Sequence, residues 1–127
     1  MVAVLRQSLI LVADDEPALL RVFKRILEAD GHQVETVPSG AAALALMAHT
    51  EFDLVLSDLQ MPEMDGLALL RSIREQRPNL PFILLTGNLA DHATTSSIEN
   101  HVTRYLTKPV ETRLLCKTVA LALKVRH

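Results

Sequence analysis

The chain has 127 residues and a mass of 14.0 kDa, enough for one domain, and 49% hydrophobic residues allow a single continuous core. A formal net charge of −2, without a basic stripe, argues against direct binding to nucleic acid. No apolar run approaches the roughly 20 residues of a membrane span, and the N-terminal residues lack the pattern of a signal peptide. The single cysteine, Cys116, lies in an apolar helical pattern and is expected in the core rather than in a disulfide. We therefore expect a cytoplasmic protein without a membrane or nucleic-acid partner.

The first half of the chain alternates strand and helix patterns. Leu9–Ala13 is a short apolar run, typical of a strand that is buried on both faces of a parallel sheet. A helix is predicted to begin at Pro17 and to end near Gly31, because proline favours the first helical position and glycine the position after the last. Gln33–Val37 is mixed in polarity, which indicates a strand nearer the sheet edge. The Ala/Leu-rich segment Ala41–Ala48 predicts the second helix.

The middle of the chain repeats this alternation. Phe52–Ser57 and Pro81–Leu85 are continuous apolar runs and are predicted to be central strands. Between them, Leu67–Arg74 follows an Asp65-Gly66 turn and has helical spacing.

The last part of the chain predicts a weak helix, an edge strand and a strong helix. Asp91–Asn100 contains weak helix formers, so we expect a short or mobile helix there. Thr103–Thr107 predicts a strand near an edge, and Glu111–Val125 an amphipathic helix. Five alternations with short links predict a doubly wound three-layer α/β domain, in which ligands bind beyond the carboxyl ends of the strands.

Polar clusters directly follow four of the predicted strands, which brings them to one edge of the sheet. They are Asp14-Asp15, Asp58, Thr86-Gly87 and Lys108-Pro109. Taken singly, each has a structural explanation, such as a helix start or a solvated lysine. Taken together, three carboxylates form a hard oxygen site that suits Mg²⁺ better than Zn²⁺.

Asp58 is the candidate nucleophile of this site. A carboxylate can attack phosphorus to form an acyl phosphate when cations neutralise the transferring group. Lys108 supplies an ammonium for a phosphate oxygen, and Thr86 supplies a hydroxyl donor.

The chain resembles a two-component response-regulator receiver domain over nearly its whole length. The matching motifs, in this order, are LVADDEP, LVLSDLQMPEMDG, LLTG and YLTKP. The resemblance implies one receiver domain over residues 1–127, with a (βα)5 flavodoxin-like fold, a parallel sheet of order 2-1-3-4-5 and helices on both faces.

The resemblance also implies a role for each site residue. Asp58 would accept a phosphoryl group. Mg²⁺, or Mn²⁺ in its place, would be ligated directly by Asp15, Asp58 and the backbone carbonyl of Gln60, with Asp14 acting mainly through a bound water. Lys108 would pair with the phosphoryl group. The domain would catalyse only its own phosphorylation and dephosphorylation, so it would not be an enzyme in the usual sense.

The remaining residues of the resemblance concern switching and loop shape. Thr86 and Tyr105 would be the switch pair, and Gly87 would offer a backbone N–H to the phosphate. Pro62, Gly66 and Pro109 would shape the loops around the site, with a cis peptide bond before Pro109. The stretch ENHVTR before Tyr105 departs from the small Gly-Ala pair that many receivers have there.

The partners implied by the resemblance are a sensor histidine kinase or a phosphotransfer protein. A covalent C-terminal output domain and a homodimer are both compatible with the resemblance. A receiver-like module that docks a partner without being phosphorylated is the alternative function. An aspartate-nucleophile phosphohydrolase is disfavoured because Gln60 stands where such an enzyme has a second acid.

Overall fold

The computed structural model describes residues 7–87 and 102–124. These residues contain one sheet of five parallel strands in the order β2-β1-β3-β4-β5, which is the predicted order. The strands are β1 Leu9–Ala13, β2 Gln33–Val37, β3 Leu54–Asp58, β4 Phe82–Thr86 and β5 Arg104–Thr107. Both strands of mixed polarity lie at the edges, as expected, and the apolar runs form the centre.

Four helices in the described residues cover both faces of the sheet. They are α1 Pro17–Ala29, α2 Gly40–Met47, α3 Gly66–Gln76 and α4 Thr112–Lys124. Side chains of α1 and α4 pack on one face, and side chains of α2 and α3 pack on the other. The predicted helix at Asp91–Asn100 lies outside the described residues. The fold is therefore the doubly wound, flavodoxin-like α/β domain that the sequence predicts.

The helix starts follow from their capping residues. The side chain of Ser39 accepts a hydrogen bond from the Ala42 N–H, so α2 begins at Gly40, one residue earlier than predicted. The Asp65 carboxylate accepts from the Ala68 N–H, which likewise starts α3 before the predicted residue.

The strands β3 and β4 end one residue later than predicted. The parallel pairing continues through Asp58 and Thr86, so each is the last residue of its strand rather than the first residue of a loop. The Leu59 N–H donates to the Leu85 carbonyl at 2.8 Å, which extends the pairing of the two strands past Asp58. Asp58 and Thr86 therefore lie on backbone that is paired with a neighbouring strand.

Cys116 is less buried than predicted. It lies in α4 and is partly exposed, and it is not among the residues of that helix that are buried. Burial, followed by the carboxylate of Asp30, raises the pKa of the Cys116 thiol.

Candidate functional site

The carboxyl ends of β1 and β3 bring three carboxylates together. Asp14 directly follows β1 and is fully buried, whereas Asp15 beside it is exposed. Asp58 ends β3 and is also buried. One carboxylate oxygen from each residue lies within 4.8 Å of the other two. The predicted acidic cluster is present.

Lys108 links two of these acids. Its Nζ lies 3.1 Å from Asp14 Oδ2 and 3.1 Å from Asp58 Oδ2. The lysine reaches the cluster because its own N–H donates to the Thr86 carbonyl at 2.9 Å, which fixes the end of β5 beside the end of β4. The ammonium thus compensates two buried negative charges.

The electrostatics of the site follow from burial and this contact. Burial raises the pKa of Asp58, the negative charge of Asp14 adds to the rise, and the ammonium of Lys108 opposes it. Burial alone would lower the pKa of Lys108, but its hydrogen bonds to both carboxylates and their charges raise it. The lysine therefore stays protonated at neutral pH and is available as a cation.

Backbone N–H groups orient the two buried acids. The Glu16 N–H donates to Asp14 Oδ1 at 2.9 Å, so the turn after β1 holds that carboxylate. The Gln60 N–H lies 3.4 Å from Asp58 Oδ1, at the long end of hydrogen-bond distances. Asp58 is held more loosely than Asp14.

Thr86 and Gly87 lie at the end of the neighbouring strand. Thr86 is the buried last residue of β4, and its partner in β5 is Thr107. Gly87 is exposed and lines the same cleft as Asp58 and Lys108. The predicted hydroxyl and backbone donor are thus at the predicted edge of the sheet.

Tyr105 lies away from the acids. It is half-buried in β5, opposite Leu84, and packs against the core on the α2 and α3 face. The cleft lining does not include it.

The loop after Asp58 has a constrained shape. Pro62 lines the cleft, and Glu63 has a positive φ of 67°. A Cβ added at Gly66 would collide with the Asp58 carbonyl oxygen and lie 2.9 Å from Leu59 Cα, so only glycine allows this approach of α3 to β3. The Lys108-Pro109 peptide bond is cis, which confirms that expectation.

Asp15 and Asp58 line a cleft of about 720 Å³. Five residues of its lining were not predicted as site residues: Glu16, Leu59, Met61, Asp65 and Leu67. Ser57 was also missed, although its hydroxyl donates to the Asp58 carbonyl at 3.0 Å. Its position directly before the candidate nucleophile was the only available signal.

The donor set fits a hard divalent cation. Three carboxylates converge, and the described residues contain no histidine or cysteine in the cluster. The Gln60 carbonyl belongs to a residue that lines the cleft. All-oxygen ligands with open space beside them suit Mg²⁺.

None of the helices within residues 7–87 and 102–124 is long and apolar enough to cross a membrane.

Comparison with known proteins identifies the family of this arrangement. Residues 10–120 match the family model for the response regulator receiver domain. The regulatory protein GlrR of Escherichia coli K12 is 36% identical over 115 residues, which are 91% of this chain and 26% of GlrR. FleR of Pseudomonas aeruginosa is 38% identical over 111 residues, 87% of this chain and 24% of FleR. The chain thus spans about a quarter of these relatives.

Solved structures agree with the sequence match. A CheY-like receiver domain from Methanospirillum hungatei has a TM-score of 0.87 and 31% identity, covering 94% of this chain and 95% of that one. The chemotaxis regulator CheY4 of Vibrio cholerae has a TM-score of 0.86 and 27% identity, covering 92% and 99%. With the acidic cluster and its lysine at the sheet edge, these matches show that the chain belongs to the response regulator receiver domain family of two-component signalling systems.

Proposed function

We propose that Asp58 accepts a phosphoryl group from a phosphohistidine and that this modification switches a protein surface. The observation that carries the proposal is the convergence of Asp14, Asp15 and Asp58 beside the ammonium of Lys108. The donor would be a sensor histidine kinase or a phosphotransfer protein, as receiver-family membership implies.

The reaction forms one bond and breaks one. A carboxylate oxygen of Asp58 attacks phosphorus, the P–N bond to the donor histidine breaks, and the imidazole keeps the electron pair and takes a proton. Mg²⁺, or Mn²⁺, held by Asp14, Asp15, Asp58 and the Gln60 carbonyl, would neutralise charge on the transferring group. The residues of the chain supply position and electrostatics, so no further catalytic group is needed.

Lys108 and Thr86 supply the donors that face the new phosphate. Modification places negative charge on Asp58, so the ammonium of Lys108 exchanges a carboxylate oxygen for a phosphate oxygen. The Thr86 hydroxyl and the Gly87 N–H would donate to the other oxygens. Lys108 lies within 3.1 Å of Asp58 Oδ2 before the reaction, so it needs little movement.

The switch is a shift between two populations of conformers. Thr86 and Tyr105 lie on neighbouring strands, so movement of the threonine toward phosphate makes room for inward movement of the ring. Phosphate then favours the conformer in which both have moved. Tyr105 is half-buried, so a change in its exposure is measurable.

The output of the switch is proposed from the relatives. GlrR is called a transcriptional regulatory protein, and the matched region is 26% of its length. A covalent output domain after residue 127 is therefore our proposal, with a homodimer as a further mode of output. The cytoplasmic location expected from the sequence belongs to the same proposal, as does the extent of the domain over residues 1–127.

Incubation with Mg²⁺ and phosphoramidate, followed by intact mass measurement, tests the proposal. Wild-type protein should gain one phosphoryl group, and Asp58→Asn should gain none. Asp65→Asn is the matched control, because Asp65 lines the same cleft and asparagine also caps helices; it should be modified like wild type. A folded wild-type protein that gains no phosphate and does not bind beryllofluoride would instead support the docking module.

A further inference from the structure

A buried hydroxyl lies directly beneath the candidate phosphoacceptor. Ser57 is in β3, between Ala13 of β1 and Leu84 of β4, and its side chain is fully buried. Its Oγ donates a hydrogen bond to the Asp58 carbonyl oxygen at 3.0 Å. A hydroxyl without contact to solvent at this place is coupled to the backbone of the reactive residue rather than to its carboxylate.

The peptide groups after Asp58 are fixed by a short series of hydrogen bonds. The Leu59 N–H donates to the Leu85 carbonyl at 2.8 Å, and the Gly66 N–H donates to the Leu59 carbonyl at 2.8 Å. The Ser57 hydroxyl holds the remaining oxygen, that of Asp58. Together these bonds set the direction in which the chain leaves β3.

The space around the Asp58 carbonyl is restricted by α3. The backbone of Gly66 approaches this oxygen so closely that a Cβ would collide with it. Gly66 is itself buried, so the carbonyl is shielded from bulk water on that side. A buried carbonyl that loses its donor is destabilising if nothing replaces the hydrogen bond. The peptide would therefore rotate to find another donor.

Rotation of this peptide would be transmitted to the site. The next residues are Leu59 and Gln60, and the Gln60 N–H already lies at a long 3.4 Å from Asp58 Oδ1. This backbone hydrogen bond to the carboxylate would therefore be lost after a small displacement of the Gln60 N–H.

We propose that Ser57 is a positioning residue for the receiver site: its hydroxyl fixes the Asp58 peptide and thereby sets the placement of the Asp58 carboxylate and of the Gln60 backbone toward a divalent cation. The proposal rests on the function proposed above, because it concerns the same cation and the same nucleophile. Ser57 touches neither the cation nor the phosphoryl group, so its effect is transmitted through the backbone.

The experiment compares Ser57→Ala with Thr118→Val. The control also removes a buried hydroxyl, but from α4, outside the cleft. The first measurement is the Mg²⁺ dissociation constant of the unphosphorylated proteins by titration calorimetry. The second is amide hydrogen exchange at Leu59 and Gly66 in metal-free buffer, which reports the loop without any cation.

Ser57→Ala should weaken Mg²⁺ binding about tenfold, the lower range for removal of a group that orients metal ligands, and should speed exchange at both amides. Thr118→Val should change neither. If Ser57→Ala does not fold, Ser57→Cys, which keeps a weak donor, should show the same two effects at smaller size. Mg²⁺ affinity and amide exchange equal to wild type in the folded variant would overturn the proposal. Absence of Mg²⁺ binding by wild-type protein would overturn the function itself, so the two failures are distinct.

Discussion

Lys108 Nζ contacts Asp14 Oδ2 and Asp58 Oδ2 at the same distance, 3.1 Å. One cation therefore serves two buried carboxylates that come from different strands. The acidic cluster would otherwise repel itself, since burial weakens the screening of like charges. Lys108 therefore stabilises the acidic cluster.

Lys108→Ala should destabilise the metal-free protein by about 2 kcal/mol, since it leaves two buried carboxylates without their cation, and partial exposure of the lysine places the cost below that of a fully buried pair. Added Mg²⁺ should recover more stability in the variant than in wild type, because the metal replaces the missing charge. Urea denaturation with EDTA and with Mg²⁺ measures both effects. An equal gain from Mg²⁺ in both proteins would show that the lysine does not share charge compensation with the metal.

Asp58→Asn should make the metal-free protein more stable at pH 7. The pKa of Asp58 is raised in the folded protein, so folding favours its protonated form. The contribution of Asp58 to the free energy of unfolding is therefore greatest below the pKa of the unfolded state, near the ordinary 3.8. This contribution is lost as the pH rises through the pKa of the folded state. The advantage of Asp58→Asn should shrink as the pH falls toward that of unfolded aspartate. Denaturant titrations in EDTA at both ends of this window check the sign, and a less stable variant at pH 7 would contradict it.

Gly66→Ala should destabilise the protein by about 2 kcal/mol, because the added methyl collides with the backbone of Asp58 and Leu59. Phosphorylation should slow as well, since α3 must move away from β3. Gly87→Ala is the matched control: its added Cβ has no heavy atom within 4 Å, and its effect on stability should stay within about 0.5 kcal/mol. Thermal unfolding of both variants measures the difference. Equal melting temperatures would contradict the close approach at Gly66.

Asp53→Ala should lower stability by about 2 kcal/mol without changing phosphorylation. The buried Asp53 carboxylate accepts from the Leu9 N–H at 2.8 Å, at the end of the sheet opposite the site. Denaturant titration of the variant measures its stability, and the intact mass of the same sample after incubation with a phosphodonor measures its phosphorylation. A variant that folds but is no longer phosphorylated would show that this end of the sheet also controls the site.

Much of the fold follows from the chain itself. The unbroken apolar runs at β1, β3 and β4 required strands buried on both faces, and the structure places them at the centre of the sheet. The strand ends were harder to predict, because pairing between neighbours extends β3 through Asp58 and β4 through Thr86. Local residue preference does not report such pairing.

The sequence predicted which residues form the site better than it predicted which of them contact each other. Strand-end position was enough to group Asp14, Asp15 and Asp58. The shared contact of Lys108 with Asp14 depends on how the ends of β1 and β5 approach each other in space, across 94 residues of chain. The role of Ser57 could not be predicted either. A serine in a strand looks the same in the sequence whether its hydroxyl positions a neighbouring residue or only packs in the core.

Phosphorylation of Asp58 from a phosphohistidine can be checked by locating the modified residue. Wild-type protein is incubated with a phosphorylated histidine-containing phosphotransfer domain and Mg²⁺, reduced with borohydride, digested and sequenced by mass spectrometry. Reduction converts an aspartyl phosphate to homoserine, and we predict homoserine at position 58 only when Mg²⁺ is present. Intact aspartate at position 58, with homoserine at another acid such as Asp15 or Asp65, would contradict the assignment.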